Sequence, residues 1–548
     1  MPVVFASLIT PYAFAASLIT PVAFAASLIT PTLTTPPPRH CQPGRSPPAI
    51  LSLDSGFRFC PDPAERAAPL AEIAEFEALA LALPRFYHGQ EPPQQYKRTL
   101  LAAADAVATR AGGPERVAAT MTEAQLQRAF VVLSFLVHYY VWCEDGAAEQ
   151  VLPRTIATPY WHVAKALGCE PVYTDAVIMW NMVGAGGDST ADPDLIHLEF
   201  SWTQTESERW FSVIQGAVLR LLDPLMGRAL LLREEILPQY TGGEGPGTAV
   251  DPAHAQAAAD FCDDLASRLD DARLVMGRMF ERLDPHDFLV FRRYFEGWQS
   301  SSEFSRSHLP TGLTFSGVEG TADALTSVVL GGIPGANAGQ QGSWHVLDAI
   351  LGLTHEEPFL REQRRLMPAS QRRFVERFTA EPAVSLRAFF DAHPALDRAP
   401  YTRAVASLRA WRREHISLAG MYLVSFAREL EGDPARGPAS KSPLHVKGTG
   451  GSEAKGGKAK GGFVKLLQSY IRETVDPRAV KEARPSGGAS EMACPLTSAK
   501  QYLRGPKFTR QQYDEARRAR ALPDKEGALV RAWSGDGDHG PEGDELGI

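Results

Sequence analysis

The chain is short of the residues and patterns that mark the commonest enzyme and binding classes. Its 548 residues hold six cysteines, Cys41, Cys60, Cys143, Cys169, Cys262 and Cys494, and no two form a CxxC pair. Thiols this dispersed argue against a disulfide framework and a cysteine zinc site, and they fit a reducing compartment. There is no GxSxG, no HExxH, no GxxxxGK[ST] and no paired Cys/His spacing, which leaves hydrolase, zinc-enzyme and phosphate-loop readings without support. Positive charge is not in excess: the net charge is -8 and the pI about 6.0. A nucleic-acid partner is therefore not expected, because such binders carry a basic footprint. No charged side chain precedes Arg39, so the N-terminus lacks the basic start of a secretory signal. Pro11, Pro21 and Pro31 interrupt every apolar run there, so no membrane span is expected either. Alternating stretches rich in Val, Ile and Thr are scarce.

What is present is length, apolar content and helical spacing. Hydrophobic residues make up 44% and charged residues 22%, enough for a large core, and the length allows about three or four domains. The N-terminus is a repeat: Phe14 to Pro21 recurs as Phe24 to Pro31, with a shorter copy ending at Pro11. It reads as a low-complexity leader, followed by a proline-rich linker from Thr34 to Pro48. From about Asp62 to Gly432 one amphipathic segment follows another, including Glu65 to Leu83, Met121 to Trp142, Glu206 to Leu237 and Pro252 to Leu283. Gly/Pro-rich breaks fall at Gly184 to Asp194, Thr241 to Gly247 and Gly331 to Gly342. Beyond Gly432 the stretch Lys447 to Gly462 is dominated by Gly and Lys, Phe463 to Thr474 reads as a short helix, and the acidic end from Asp524 reads as disordered. The expected division is a leader and linker over 1–48, a small helical domain over 49–195, and a large helical domain over 196–475 containing the Gly/Lys loop 447–462. A largely disordered extension covers 476–548.

Three segments could carry chemistry. In the segment Leu408 to Tyr422, read as a helix, Leu408, Trp411, His415, Leu418, Ala419 and Tyr422 share one face. A histidine on an apolar stripe must find a polar partner or bind something, and Arg412 sets a cation one turn away. An axial iron ligand and a histidine bonded to a carbonyl both fit this pattern. In the segment Asp284 to Trp298, Phe288, Phe291, Phe295 and Trp298 form a stripe that includes Arg292, while Arg293 points away. Arg292 suits bidentate capture of a carboxylate on an aromatic ligand, or it snorkels its charge over a core face. The loop Gly335 to Gly342 lets a flat ligand approach backbone closely, or is a plain connection. It leads into a helix whose His345 lies off the apolar face and is expected at the surface. Lys447 to Ser452 reads as a linker or a mobile lid.

Taken together, these pieces resemble the indoleamine 2,3-dioxygenase family of haem proteins. The likeness spans roughly Leu133 to Gly451, with its motifs in family order: Tyr140-Val141-Trp142, Val151 to Tyr160, Val172-Tyr173-Thr174-Asp175, Trp210-Phe211, Phe288 to Trp298, Ala338-Gly339-Gln340 with Leu347-Asp348 and Leu351-Gly352, Met367-Pro368, Arg412 to Tyr422, and Gly448-Thr449-Gly450-Gly451. The resemblance implies an all-α fold of two domains with haem b between them. It implies insertion of both atoms of dioxygen across the indole C2–C3 bond of L-tryptophan, giving N-formylkynurenine in the kynurenine pathway. By position, His415 matches the proximal iron ligand, and Arg412 and Asp348 a charged pair near the haem propionates. Arg292 matches the arginine that binds the substrate carboxylate, and Tyr173 and Phe211 the lining of the indole pocket. Ala338 and Gly339 match the small-residue wall, and Thr449 the loop threonine near the substrate ammonium.

The departures lie around the substrate. Gln215 stands where the family often has a serine, Asn337 where it has a small hydroxyl residue, Asp287 where an aromatic pair is found, and Gln371 where it has a histidine. Gln215, Asn337 and Asp287 bear on substrate affinity and identity, and Asp287 is expected to compete with a substrate carboxylate for Arg292. The expected protein is a cytoplasmic monomer that takes L-tryptophan or a related indoleamine and O2. The alternatives are a haem-binding sensor or signalling protein of the same fold with weak or altered indole turnover, and a helical interaction protein without a cofactor.

Overall fold

The computed structural model describes residues 67–422, with breaks at 145–146, 185–191, 242–248, 301, 322–323, 354–357 and 381–383, and the strands at 452–455 and 458–461. The leader, the linker and the extension beyond 475 lie outside the described residues.

Helices dominate, as the apolar spacing predicts. The first group is α1 (Ala74–Tyr87), α2 (Pro93–Ala111), α3 (Glu123–Trp142), α4 (Arg154–Leu167) and α5 (Asp175–Trp180). Thr122 starts α3 with a capping box: its hydroxyl accepts the Gln125 N–H while the Gln125 side chain returns to the Thr122 N–H. From Arg128 to Trp142 every residue of α3 is buried, so this helix is wrapped on all sides rather than one. Its one buried cation, Arg128, is met by two acids, Glu77 at 2.8 Å and Glu199 at 2.5 Å.

The second group begins with α6 (Glu206–Leu222), capped by Thr205, then α7 (Pro224–Leu231), α8 (Pro238–Thr241), α9 (Pro252–Gly277), α10 (Met279–Arg282), α11 (Pro285–Phe291) and α12 (Glu303–His308). A single π turn, Leu232–Ile236, breaks the predicted run after α7. The described helices end with α13 (Gly342–Leu351), α14 (Pro358–Arg364), α15 (Ala369–Thr379), α16 (Leu386–Ala392) and α17 (Ala399–Gly420). On α9, Ala258, Phe261, Cys262, Leu265, Leu269, Ala272 and Met276 are buried, one stripe at three- and four-residue spacing. Burying each large member of that stripe contributes about 2 kcal/mol. Arg273 of α9 reaches Glu414 of α17 at 2.7 Å and fixes the two helices side by side.

Strands are few. β1 (Val151–Leu152) runs parallel to β4 (Leu313–Thr321), which pairs antiparallel with β5 (Ala324–Leu330). The sequence reading missed this hairpin, because a bulge between Phe315 and Glu319 breaks the alternation after Leu313 and Phe315. Gly317, at φ 58, takes the left-handed conformation inside that irregularity. β2 (Met182–Gly184) pairs with β3 (Ile196–Leu198), and β6 (Ser452–Lys455) with β7 (Lys458–Gly461). The Gly/Lys stretch, expected as linker or lid, thus contains a short hairpin.

The described helices bury two apolar cores. One gathers α1 to α5, the first turns of α6 and the aromatic residues from Phe288 to Trp298. The other gathers the end of α6, α7, α9, α13 and α15 to α17. Leu418, three residues beyond His415, packs against both cores, so the His415 end of α17 lies where they meet.

Candidate functional site

His415 stands on α17 against α13. Trp344 of α13 stacks on Trp411 with ring centroids 3.9 Å apart, and Trp411 lies 5.1 Å from the His415 ring. Beside this column Nη2 of Arg412 donates to both carboxylate oxygens of Asp348, at 2.5 and 2.7 Å, and both residues are buried. A buried pair of this kind is costly to break, since either partner alone would be an uncompensated charge. The sequence-level grouping of His415, Arg412 and Asp348 is therefore a spatial grouping.

The His415 ring fits a metal-binding role on two counts. Burial, and then the nearby Arg412 cation, push its pKa down to about 4, so the imidazole is neutral at physiological pH. Among the described residues neither ring nitrogen has a hydrogen-bond partner. The residue as a whole is half-buried, while Trp411, Arg412 and Ile416 around it are buried. The alternative left open by the sequence, a histidine bonded to a carbonyl, has no carbonyl partner among the described residues.

The residues expected on the substrate side come from three separate segments. Tyr173 leads into α5, Phe211 lies in the second turn of α6, and Arg292 opens the single 3-10 turn Arg292–Phe295 that follows α11. Phe295 joins them: its ring stacks on Tyr173 at 5.4 Å and on Phe211 at 5.6 Å. Arg292 is 5% exposed, which removes the snorkelling reading. Burial lowers its pKa, while the charge of Glu296 one turn on opposes that shift. Glu296 is itself buried and accepts from Ser302 at 2.6 Å and Ser300 at 3.1 Å. Asp287, which could compete with a substrate carboxylate for Arg292, accepts from the Ser207 hydroxyl at 2.8 Å, and the charge of Glu296 acts on Arg292.

The small-residue loop lies against the same turn. A Cβ on Gly335 would stand 1.7 Å from the Phe295 carbonyl oxygen, so only glycine lets the two backbones meet there. Asn337 is a structural residue of the loop: its side-chain Oδ1 accepts the Gly339 N–H at 3.0 Å and its Nδ2 donates to the Gln363 side-chain oxygen at 2.8 Å. It thereby shapes the turn Ala338–Gln340, in which Ala338 and Gly339 keep partial exposure. Gln340 accepts the Asp175 N–H at 2.9 Å, which binds this turn to the Tyr173 segment. Gln341 then donates to the Asp175 carboxylate at 2.9 Å and accepts from Trp344 Nε1 at 2.9 Å. Gln215 reaches the Phe211 carbonyl at 3.1 Å and stands 3.5 Å from Gln341. His345 corrects the sequence reading: it is buried, with Nε2 on the Gly339 carbonyl at 2.8 Å and Nδ1 accepting from Arg364 at 3.3 Å. α13 is enclosed on nearly every side, so its periodicity marks no exposed face. Thr449 lies outside the described residues.

The residues that connect these parts, His138, Asp175 and Gln341, receive no role from the sequence, although Asp175 falls within one of its motifs. A weak signal existed for the first: Ser134 and His138, four apart, interrupt an otherwise apolar run.

Comparison with known proteins settles the family. A family profile described as indoleamine 2,3-dioxygenase matches residues 116–469. The chain belongs to that family. Mouse indoleamine 2,3-dioxygenase 1 is 28% identical over 343 residues, covering 60% of this chain and 76% of the mouse protein. A Fusarium equiseti protein named 6-hydroxytryptophan 2,3-dioxygenase is 26% identical over 364 residues, 65% of this chain and 82% of its own length. A Haliotis madaka protein named myoglobin is 25% identical over 310 residues, 56% of this chain and 73% of its own. Indoleamine 2,3-dioxygenases are haem-dependent dioxygenases with a helical fold, and the state of His415 suits that cofactor. Among the described residues no helix is long and apolar enough to cross a membrane.

Proposed function

We propose that this indoleamine 2,3-dioxygenase family member cleaves the indole C2–C3 bond of L-tryptophan with dioxygen, giving N-formylkynurenine. The observation that carries the reading is Arg292, a buried cation in the same turn as Phe295, whose ring is stacked between Tyr173 and Phe211. A carboxylate bound to a planar apolar ring system matches that pairing of charge and aromatic surface.

His415 would hold the iron, and Arg412 and Asp348 would meet the propionate edge. Bound haem supplies the activation of dioxygen. The chain's own work is positioning. Arg292 binds the substrate carboxylate, and its burial strengthens that contact relative to water. Tyr173 and Phe211 fix the plane of the indole and exclude solvent, and Ala338 and Gly339 leave room for it. Thr449 is assigned to the substrate ammonium. Orientation of this kind is worth several kcal/mol of barrier. The same reading gives a small domain over 49–195, a large one over 196–475, and a cytoplasmic monomer. The unpaired buried thiols Cys143, Cys169 and Cys262 support the reducing compartment.

A second reading, a haem protein with weak indole turnover, is favoured by Gln215 and by the relative named myoglobin. Purified protein, reduced and supplied with L-tryptophan and dioxygen, is expected to form N-formylkynurenine, read by its absorbance. The relative named for 6-hydroxytryptophan makes that compound the first alternative substrate to assay. Full haem occupancy with no product from either compound overturns the first reading and leaves the second.

A further inference from the structure

His138 is a fully buried histidine that the reading above does not use. It sits on α3, and both ring nitrogens are engaged by backbone. The Tyr173 N–H points at Nε2 over 2.7 Å, and Nδ1 lies 2.9 Å from the Tyr294 carbonyl oxygen. An amide N–H can only donate and a carbonyl can only accept. Nε2 is therefore the acceptor, the ring proton is on Nδ1, and the tautomer is fixed by its partners. Burial keeps the ring neutral, its pKa pushed down to about 3.

The two backbone groups belong to the two walls of the candidate pocket. Tyr173 carries one aromatic face, and Tyr294 lies in the same 3-10 turn as Arg292 and Phe295. A second strap joins the same segments: Trp298 packs on His138 at 4.4 Å and donates its Nε1–H to the Pro171 carbonyl at 2.8 Å. The imidazole is thus a spacer of fixed length between backbone at Tyr173 and backbone at Tyr294.

We propose that His138 is a positioning residue for the substrate pocket. By holding the Tyr173 backbone N–H and the Tyr294 carbonyl one ring-width apart, it sets the distance between the aromatic wall and Arg292. It thereby tunes affinity for an indole that carries a carboxylate, without touching that substrate. The inference rests on the assignment of Tyr173 and Arg292 to the tryptophan site. It goes beyond that assignment by locating what holds the two apart.

The test uses the full-length, haem-loaded protein and the variants His138→Met, which removes the donor and leaves only a weak sulfur acceptor at similar bulk, and His138→Gln and His138→Asn, which retain one of each. Dissociation constants for L-tryptophan and for unsubstituted indole come from spectral titration, with kcat, KM, Tm and the resting Soret band measured alongside. Well below its Tm, H138M is expected to keep the resting Soret band and to weaken L-tryptophan on the order of tenfold, the scale of a sub-ångström misplacement. Indole, which does not span to Arg292, should weaken far less, and H138Q or H138N should recover part of the loss. Equal weakening of both ligands, or unchanged tryptophan affinity in folded H138M, overturns the inference. If H138M does not fold, the same contrast is read between wild type and the amide variants, and an absent contrast there overturns it. A wild-type protein that binds haem but shows no response to tryptophan fails the functional reading and takes this inference with it. A responsive wild type with an equally responsive H138M fails this inference alone.

Discussion

The two sides of the candidate site are built differently. On the His415 side, two helices meet through side chains: a tryptophan stack, and one arginine on one aspartate. The residues that matter are spaced by helical turns, Trp411, Arg412 and His415 on α17 and Trp344 and Asp348 on α13. On the side proposed for the substrate, a loop, a helix turn and a 3-10 turn are held together largely through backbone atoms, with His138, Gln340 and Gly335 as the joints. A side determined by spacing along one helix tolerates change elsewhere in the chain. A side determined by backbone register depends on residues that never touch the ligand.

The sharpest way to break this contrast is at His415. His415→Ala is expected to abolish the Soret band of the purified protein, since His415 is the side chain proposed to hold the iron. Retention of a normal Soret band would remove His415 from the iron and with it the distinction between the two sides. Removing Arg292 probes the other side. Arg292→Ala should keep the haem spectrum and lose about a hundredfold in kcat/KM for L-tryptophan, the scale of a lost charged hydrogen-bond pair of about 3 kcal/mol. Unchanged kinetics would show that the substrate carboxylate is met elsewhere.

Legibility in the sequence follows the same contrast. Helical class, the His415–Arg412 pairing and the stripe around Arg292 could be read because each is a periodicity within one segment. Asp348 opposite Arg412 came from family likeness, and the structure gives it a direct bond. The β4–β5 hairpin could not be read, because four steps along β4, Phe315 to Glu319, lie opposite only two along β5, Val328 to Thr326, and this irregularity interrupts the alternation. His345 was misplaced because a face is defined only for a helix with an outside, and α13 has almost none. His138 was passed over because its partners are backbone atoms of residues 35 and 156 positions away, which no side-chain pattern encodes. The partner of Asp287 is hidden for a related reason: proximity to Arg292 in sequence says nothing of Ser207, whose hydroxyl donates to its carboxylate.

Asp175 offers the finest probe, because it touches both sides at once. Its N–H is held by Gln340, and its carboxylate by Gln341, whose other end meets the tryptophan stack. Burial raises its pKa to about 7, and the Gln341 amide only partly offsets this. The carboxyl of the unfolded chain ionises near its ordinary value of 3.8. Between these two values the folded protein holds a proton that the unfolded chain releases, so stability falls as pH rises through the window and levels off above about 7. Asparagine accepts the same Gln341 hydrogen bond and cannot ionise. Asp175→Asn should therefore match wild type in Tm near pH 4 and exceed it by a few degrees at pH 8. The histidines with depressed pKa values, His138 and His415, give the opposite slope at acid pH, but they are common to both proteins and cancel in the difference. A Tm gap that stays constant from pH 4 to pH 8 would mean that Asp175 is ionised in the fold, and that the two sides are joined by a charge rather than by a neutral hydrogen bond.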